Sequence, residues 1–182
     1  MSIEKTINKK TVFNGKIVNL IVKDVELPNG KITKREVVLH KKGVGIVASD
    51  GEYIYLVKQF RTAIEQEILE IPAGLLEPGE DPIEAARREL QEEIGMNARN
   101  IEPLCNFYTS VGFTDEVTYI YLATDLYSSK LPEDEDESIE VIKLPINEID
   151  SFIDTSKTQD GKTALGLSLF KIHEKPKPLR ME

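Results

Sequence analysis

GLLEPGEDPIEAARRELQEEIGM, Gly74 to Met96, gathers seven acidic residues and two arginines into one loop and one helix. The helix is well marked. Asp81 stands at the N-cap, Pro82 suits the first helical position, and Glu84 follows Asp81 at capping-box spacing. Ile83, Ala86, Leu90 and Ile94 then share one face, and Gly95 is placed to end the helix. Glu89, Glu92 and Glu93 stand at i, i+3 and i+4 and project from one side, flanking the apolar stripe rather than joining it. Like charges so close repel by about a few tenths of a kcal/mol per pair. Arg88, four before Glu92, can relieve that repulsion. So can a divalent cation, because hard oxygen ligands on a rigid helix suit Mg²⁺ or Mn²⁺. A glutamate-rich helix face taken alone is more often plain solvated surface, so the decision rests on what surrounds it.

Strands are expected on both sides. GKIVNLIVKDVELPNGKITKREVVLH (15–40) places two β-rich runs around Pro28-Asn29-Gly30, where Asn-Gly signals a hairpin turn because both positions tolerate positive φ. GVGIVASDGEYIYLVKQF (43–60) repeats the pattern around Ser49-Asp50-Gly51-Glu52, and EQEILEIPAG (65–74) reads as a short strand ending at a proline-containing loop. After the helix, strands are expected at Leu104 to Tyr108, Val117 to Thr124 and VIKLP (141–145). Helices follow at about Ile146 to Ile153 and about Asp160 to Glu174, with KPKPLRME (175–182) as a solvated end. Strands, helix, strands, helix implies an α/β chain with a mixed sheet flanked by helices.

The 182 residues carry 40% apolar and 30% charged side chains, enough for a packed core, and a net charge of −9. KITKRE (31–36), the densest basic stretch, is short and mixed in sign, so no nucleic-acid partner is expected. The early residues do not combine a basic start with a long apolar run, and no stretch approaches the ~18 apolar residues of a membrane span. The single cysteine, Cys105, cannot form an internal disulfide, which fits a reducing cytoplasm; it reads as a buried small hydrophobe. His40 and His173 lie in no supporting motif and read as structural.

The spacing around the helix is Gly74, five residues, Glu80, seven residues, Arg88-Glu89-Leu90, one residue, Glu92-Glu93, one residue, Gly95-Met96. It resembles the Nudix box of the Nudix hydrolase family at every fixed position. Seven positions demand one residue type, so at about 7% usage each a chance match is roughly one in 10⁸ per starting point. The resemblance implies an α/β/α sandwich and hydrolysis of a nucleoside diphosphate linked to another moiety. It also implies a divalent-metal site built from Glu89 and Glu93, assisted by Glu92 and by the backbone carbonyl of Ala73. Glu80 and Arg88 would fix the loop–helix–loop shape, with Gly74 and Gly79 serving backbone geometry.

The whole chain resembles the ADP-ribose pyrophosphatase branch. That resemblance implies a small N-terminal antiparallel sheet at residues 1–42 used for dimerisation and substrate contact, a Nudix hydrolase domain at 43–182, and a homodimer with Mg²⁺ (or Mn²⁺) and a nucleotide-sugar substrate. By the same resemblance Arg61 of VKQFR contacts substrate, and Arg35 of KRE reaches over from the partner subunit to complete the site across the dimer, a role the guanidinium fork suits. Leu75 packs beside it, and Glu116 of SVGFTDE binds the terminal ribose. Six of the nine residues from Pro132 to Glu140 are acidic. Within them Glu135 is expected as general base, with Glu133 its alternative two residues away, and Glu137 as a metal ligand. Two departures stand out. Val111 replaces the proline common in SPG, and Lys16 replaces the aromatic that in some relatives follows the glycine matching Gly15. Both leave room for another sugar nucleotide, a dinucleotide or an oxidised nucleotide as substrate. A non-catalytic Nudix sensor is the remaining alternative, although such domains usually lose box carboxylates.

Overall fold

A computed structural model describes residues 3–132, 139–154 and 158–174. The chain divides into two compact units, 1–42 with 107–118, and 43–106 with 119–182.

The first unit is built on three antiparallel strands in sequence order, β1 (Lys5–Asn14), β2 (Val18–Glu26) and β3 (Ile32–His40). β1, which sequence reading did not delimit, is exposed along its whole length and carries two register shifts. At the β2–β3 turn Gly30 N–H donates to Leu27 C=O at 2.8 Å. Only Gly30 takes a positive φ, 80°. Asn29 uses its side chain, accepting from Lys31 N–H at 3.1 Å, and the hairpin expected at Asn-Gly joins β2 to β3. The loop 109–116 lies along β3, with Val38 N–H donating to Phe113 C=O at 2.7 Å and His40 N–H to Asp115 Oδ1 at 2.9 Å.

The second unit holds a seven-stranded sheet. β4 (Gly43–Ser49), β5 (Tyr53–Arg61), β6 (Gln66–Glu70) and β7 (Ala73–Leu75) precede α1 (Pro82–Glu93). β8 (Met96–Tyr108), β9 (Val117–Ser128) and β10 (Glu140–Pro145) follow, then a short 3₁₀ turn, α2 (Ile149–Asp154) and α3 (Gly161–His173). The strand order is β10-β5-β4-β9-β8, with β6 pairing on β5 and β7 on β4. Every residue of β4 is buried, which requires cover on both faces. Val44, Ile46 and Ala48 join Ala85, Ala86 and Leu90 of α1, and Ile94 at its C-cap, in one core. On the other face Gly166 of α3 brings its backbone against Val47, Ile71 and Ile120, and Leu167 and Phe170 are buried. The second unit is thus an α/β/α sandwich. Cys105 is only half-buried, and that burial pushes its thiol up. Among the described residues no helix is long and apolar enough to cross a membrane.

Candidate active site

The turn Glu77-Pro78-Gly79-Glu80 sets the approach to α1. Glu80 N–H donates to Glu77 C=O at 3.1 Å, and Gly79 takes φ 83°, the conformation a type II turn needs after proline. The Glu80 carboxylate returns to Glu77 N–H at 2.8 Å. Asp81 caps the helix by accepting from Ile83 N–H at 2.9 Å. Gly95 ends it with φ 68°.

Arg88 is the hub. Its Nε and Nη2 reach the two Glu80 oxygens at 3.0 and 3.1 Å, and Nη2 also reaches Leu75 C=O at 3.1 Å. Its Nη1 donates to Glu89 at 2.6 Å and to Glu92 at 2.9 Å. One cation therefore serves three carboxylates. The hydrogen bonds to Glu80 raise the Arg88 pKa, with Glu89 and Glu92 adding to them, and Arg88 in turn holds Glu80 below the usual carboxylate range.

Two of the carboxylates are not where a solvated helix face would put them. Glu89 is 8% exposed and Glu93 5%, a correction to the expectation that they merely flank the apolar stripe. The reason is β7. A Cβ at Gly74 would fall 2.0 Å from Glu89 Oε1, so the glycine is there to admit a carboxylate and not to make a turn. Glu93 accepts from Ala73 N–H at 2.8 Å. The strand end Ala73-Gly74 and the helix side Glu89-Glu93 thus form one oxygen-rich lining.

Among the described residues no three His, Cys, Asp or Glu side chains converge as a closed metal cage; Arg88 holds oxygens of Glu89 and Glu92 instead. The donor chemistry still fits a divalent cation: three carboxylates on one rigid helix, two of them buried, with a cation already drawn to Glu89 and Glu92. Glu135 and Glu137, with Glu133, lie outside the described residues. Their flanks are anchored: Leu131 N–H donates to Gln91 C=O of α1 at 3.1 Å, and Ile139 packs against the α1 core.

Arg61 is engaged within its own unit. Its Nε and Nη2 donate to the two oxygens of Glu70 at 2.5 and 2.8 Å. Leu75, half-buried, pairs with Gly43 in the β7–β4 ladder. Arg35 and Glu116 belong to the other unit. Arg35 forms a bidentate pair with Glu4 at 3.1 and 2.6 Å. Glu116 accepts from Thr109 Oγ1 at 2.7 Å and lies 3.5 Å from His40 Nδ1, so His40 stands beside a candidate site residue that its sequence context did not suggest. Phe13, half-exposed, packs on Gly15, where a Cβ would meet its ring at 2.6 Å. An aromatic is therefore present beside Gly15, although position 16 is lysine. Sequence reasoning missed Glu70, and its one signal was a lone acid inside the apolar run ILEIP.

Comparison with known proteins bears on the family and the fold. The NUDIX domain model matches residues 39–164. An ADP-ribose pyrophosphatase of Bacillus subtilis (strain 168) is 43% identical over 174 residues, covering 94% of each chain. A methanol dehydrogenase activator of Bacillus methanolicus is 41% identical over 174 residues, again covering 94% of each. The crystal structure of an ADP compounds hydrolase superposes with a TM-score of 0.87 over 93% of each chain at 24% identity, a likeness of fold. The chain belongs to the Nudix family. Nudix pyrophosphatases generally work with a divalent metal.

Proposed function

We propose that this protein hydrolyses the pyrophosphate bond of ADP-ribose to AMP and ribose 5-phosphate, with Mg²⁺ as the working ion. The observation that carries the reading is the pair of buried carboxylates Glu89 and Glu93 set against Ala73-Gly74. An isolated helix would expose them; a site that gathers positive charge gives a reason to bury them. Glu89, Glu92, Glu93 and the Ala73 carbonyl would hold the ion, with Glu137 completing the set. The bound ion supplies screening of the pyrophosphate charge and a lowered pKa for water. Arg61, joined by Arg35 of the partner subunit, binds phosphate oxygens, Leu75 packs beside the substrate, Glu116 accepts from ribose hydroxyls, and Glu135 takes the proton of the attacking water. The anchoring of Leu131 and Ile139 at α1 supports Glu135 and Glu137 in these roles. The likeness to the Bacillus subtilis enzyme along nearly the whole chain supports the substrate. We place residues 1–42 as the dimerising, substrate-contacting domain and 43–182 as the hydrolase domain, in a cytoplasmic homodimer. Exposed apolar residues on and beside β1, among them Ile7, Val12 and Phe13, support the dimer.

The test is hydrolysis of ADP-ribose with Mg²⁺ beside UDP-glucose, NADH and 8-oxo-dGTP, with product identification and Glu93→Gln as control. Release of AMP and ribose 5-phosphate, lost in the variant, is the expected result. Cleavage of another diphosphate with ADP-ribose left intact would move the reading to a different nucleotide substrate, with Val111 and Lys16 as the positions behind the change.

A further inference from the structure

Behind Arg61 the second unit holds an ionic cluster whose other members, Glu70, Lys162 and Asp160, have no part in the proposed chemistry. Glu70, at the end of β6, is 2% exposed. Besides Arg61 it receives the ammonium of Lys162, from the first turn of α3. Lys162 also reaches Asp160 at 3.0 Å. Asp160 caps α3 through Thr163 N–H at 2.9 Å, and it accepts from Thr163 Oγ1 at 2.6 Å. Thr163 Oγ1 in turn accepts from Ile71 N–H at 2.9 Å. The chain of contacts therefore runs from the start of α3 to the backbone just before Pro72-Ala73, where the carboxylate lining begins.

The charges are unevenly shared. Glu70 has one negative charge and two cations, and Asp160 has Lys162 together with the α3 N-terminus. Burial pushes the Glu70 carboxyl up, yet the hydrogen bonds of Arg61 and the charge of Lys162 outweigh it and leave it below the usual range. Were Glu70 paired with Arg61 alone, a fork-to-fork pair would cancel the guanidinium charge. Lys162 draws on the same carboxylate. Arg61, 40% exposed, is thus held by a carboxylate that it shares with a second cation, with part of its guanidinium open to solvent.

We propose that Lys162 is a positioning residue for Arg61: by sharing the buried Glu70 carboxylate it keeps the guanidinium fixed while leaving it positive charge to present to the pyrophosphate of the substrate. This rests on the reading of Arg61 as a phosphate contact.

The test is kcat and KM for ADP-ribose in Arg61→Gln, Lys162→Met and Lys162→Arg, the last of which keeps the charge. Each is assayed where circular dichroism shows it folded, and Lys162→Gln carries the comparison if Lys162→Met does not fold. Removing one charge-assisted contact is expected to raise KM about tenfold in Lys162→Met with kcat little changed. Lys162→Arg keeps a second cation on Glu70, so its KM should stay near wild type. A purely structural Lys162 would raise KM in Lys162→Arg as much as in Lys162→Met, or would lower kcat at unchanged KM in Lys162→Met as the folded fraction falls; either result overturns the inference. If Arg61→Gln raises KM while Lys162→Met does not, the positioning role fails alone. If Arg61→Gln keeps wild-type KM, the phosphate-contact reading fails as well.

Discussion

Glu89 rests its carboxylate on the bare Cα of Gly74, and that contact leaves no space for a methyl group. Gly74→Ala should displace Glu89 by on the order of 1 Å, and a misplacement of that size costs about 10²-fold in kcat. Steady-state kinetics checks this, with circular dichroism expected to stay native because β7 needs no special φ there. Arg88 is the second residue on which the site turns. Its five donors match Glu80, Glu89, Glu92 and the Leu75 carbonyl. Lysine at 88 would offer one point charge in place of that fork. Arg88→Lys should lower the thermal midpoint and scatter the acidic residues, with kcat falling about tenfold or more, roughly the loss of one good charge-assisted bond. Motif spacing led to both residues. It did not reveal what Gly74 does, because the reason is an atom on a helix fifteen residues later.

Among elements, β4 and α3 explain why the sandwich closes. Gly166 lets α3 lie against Val47 and Ile71, with a Cβ at 3.0 and 3.2 Å from their side chains. Gly166→Val should push the helix off the sheet and cost about 1–3 kcal/mol by overpacking, outweighing the few tenths of a kcal/mol that replacing a helical glycine returns. Urea unfolding measures it. α1 was legible residue by residue, since caps, apolar period and terminating glycine all act within one turn. The boundaries of β1 and β7 were not. β1 is exposed throughout and lacks the alternation that one buried face imposes. β7 is three residues long and follows a proline.

For the molecule as a whole, acid should be the sensitive direction. The carboxyls of Glu70, Asp160 and Glu80 all sit below their ordinary values in the folded state. A folded pKa below the unfolded one adds stability that is present above the unfolded value and is lost as pH falls through the folded one. Stability should therefore hold from neutral pH down to about 4 and decline below it. Glu70→Gln, which loses one of these carboxyls, should be less stable at pH 7 and show a shallower decline, read by urea unfolding across pH. Sedimentation at low concentration should give a dimer; a clean monomer would sink the assignment of 1–42 as a dimerising domain. The family, the α/β class, and the acidic helix with its caps followed from sequence alone, because each is carried by residues close together along the chain. The burial of Glu89 and Glu93, the bidentate hold of Glu70 on Arg61 and the reach of Lys162 to Glu70 were decided by tertiary structure, because each needs partners brought together from separate strands and helices. Spacing along the chain carries no record of which distant strand end will cover a carboxylate.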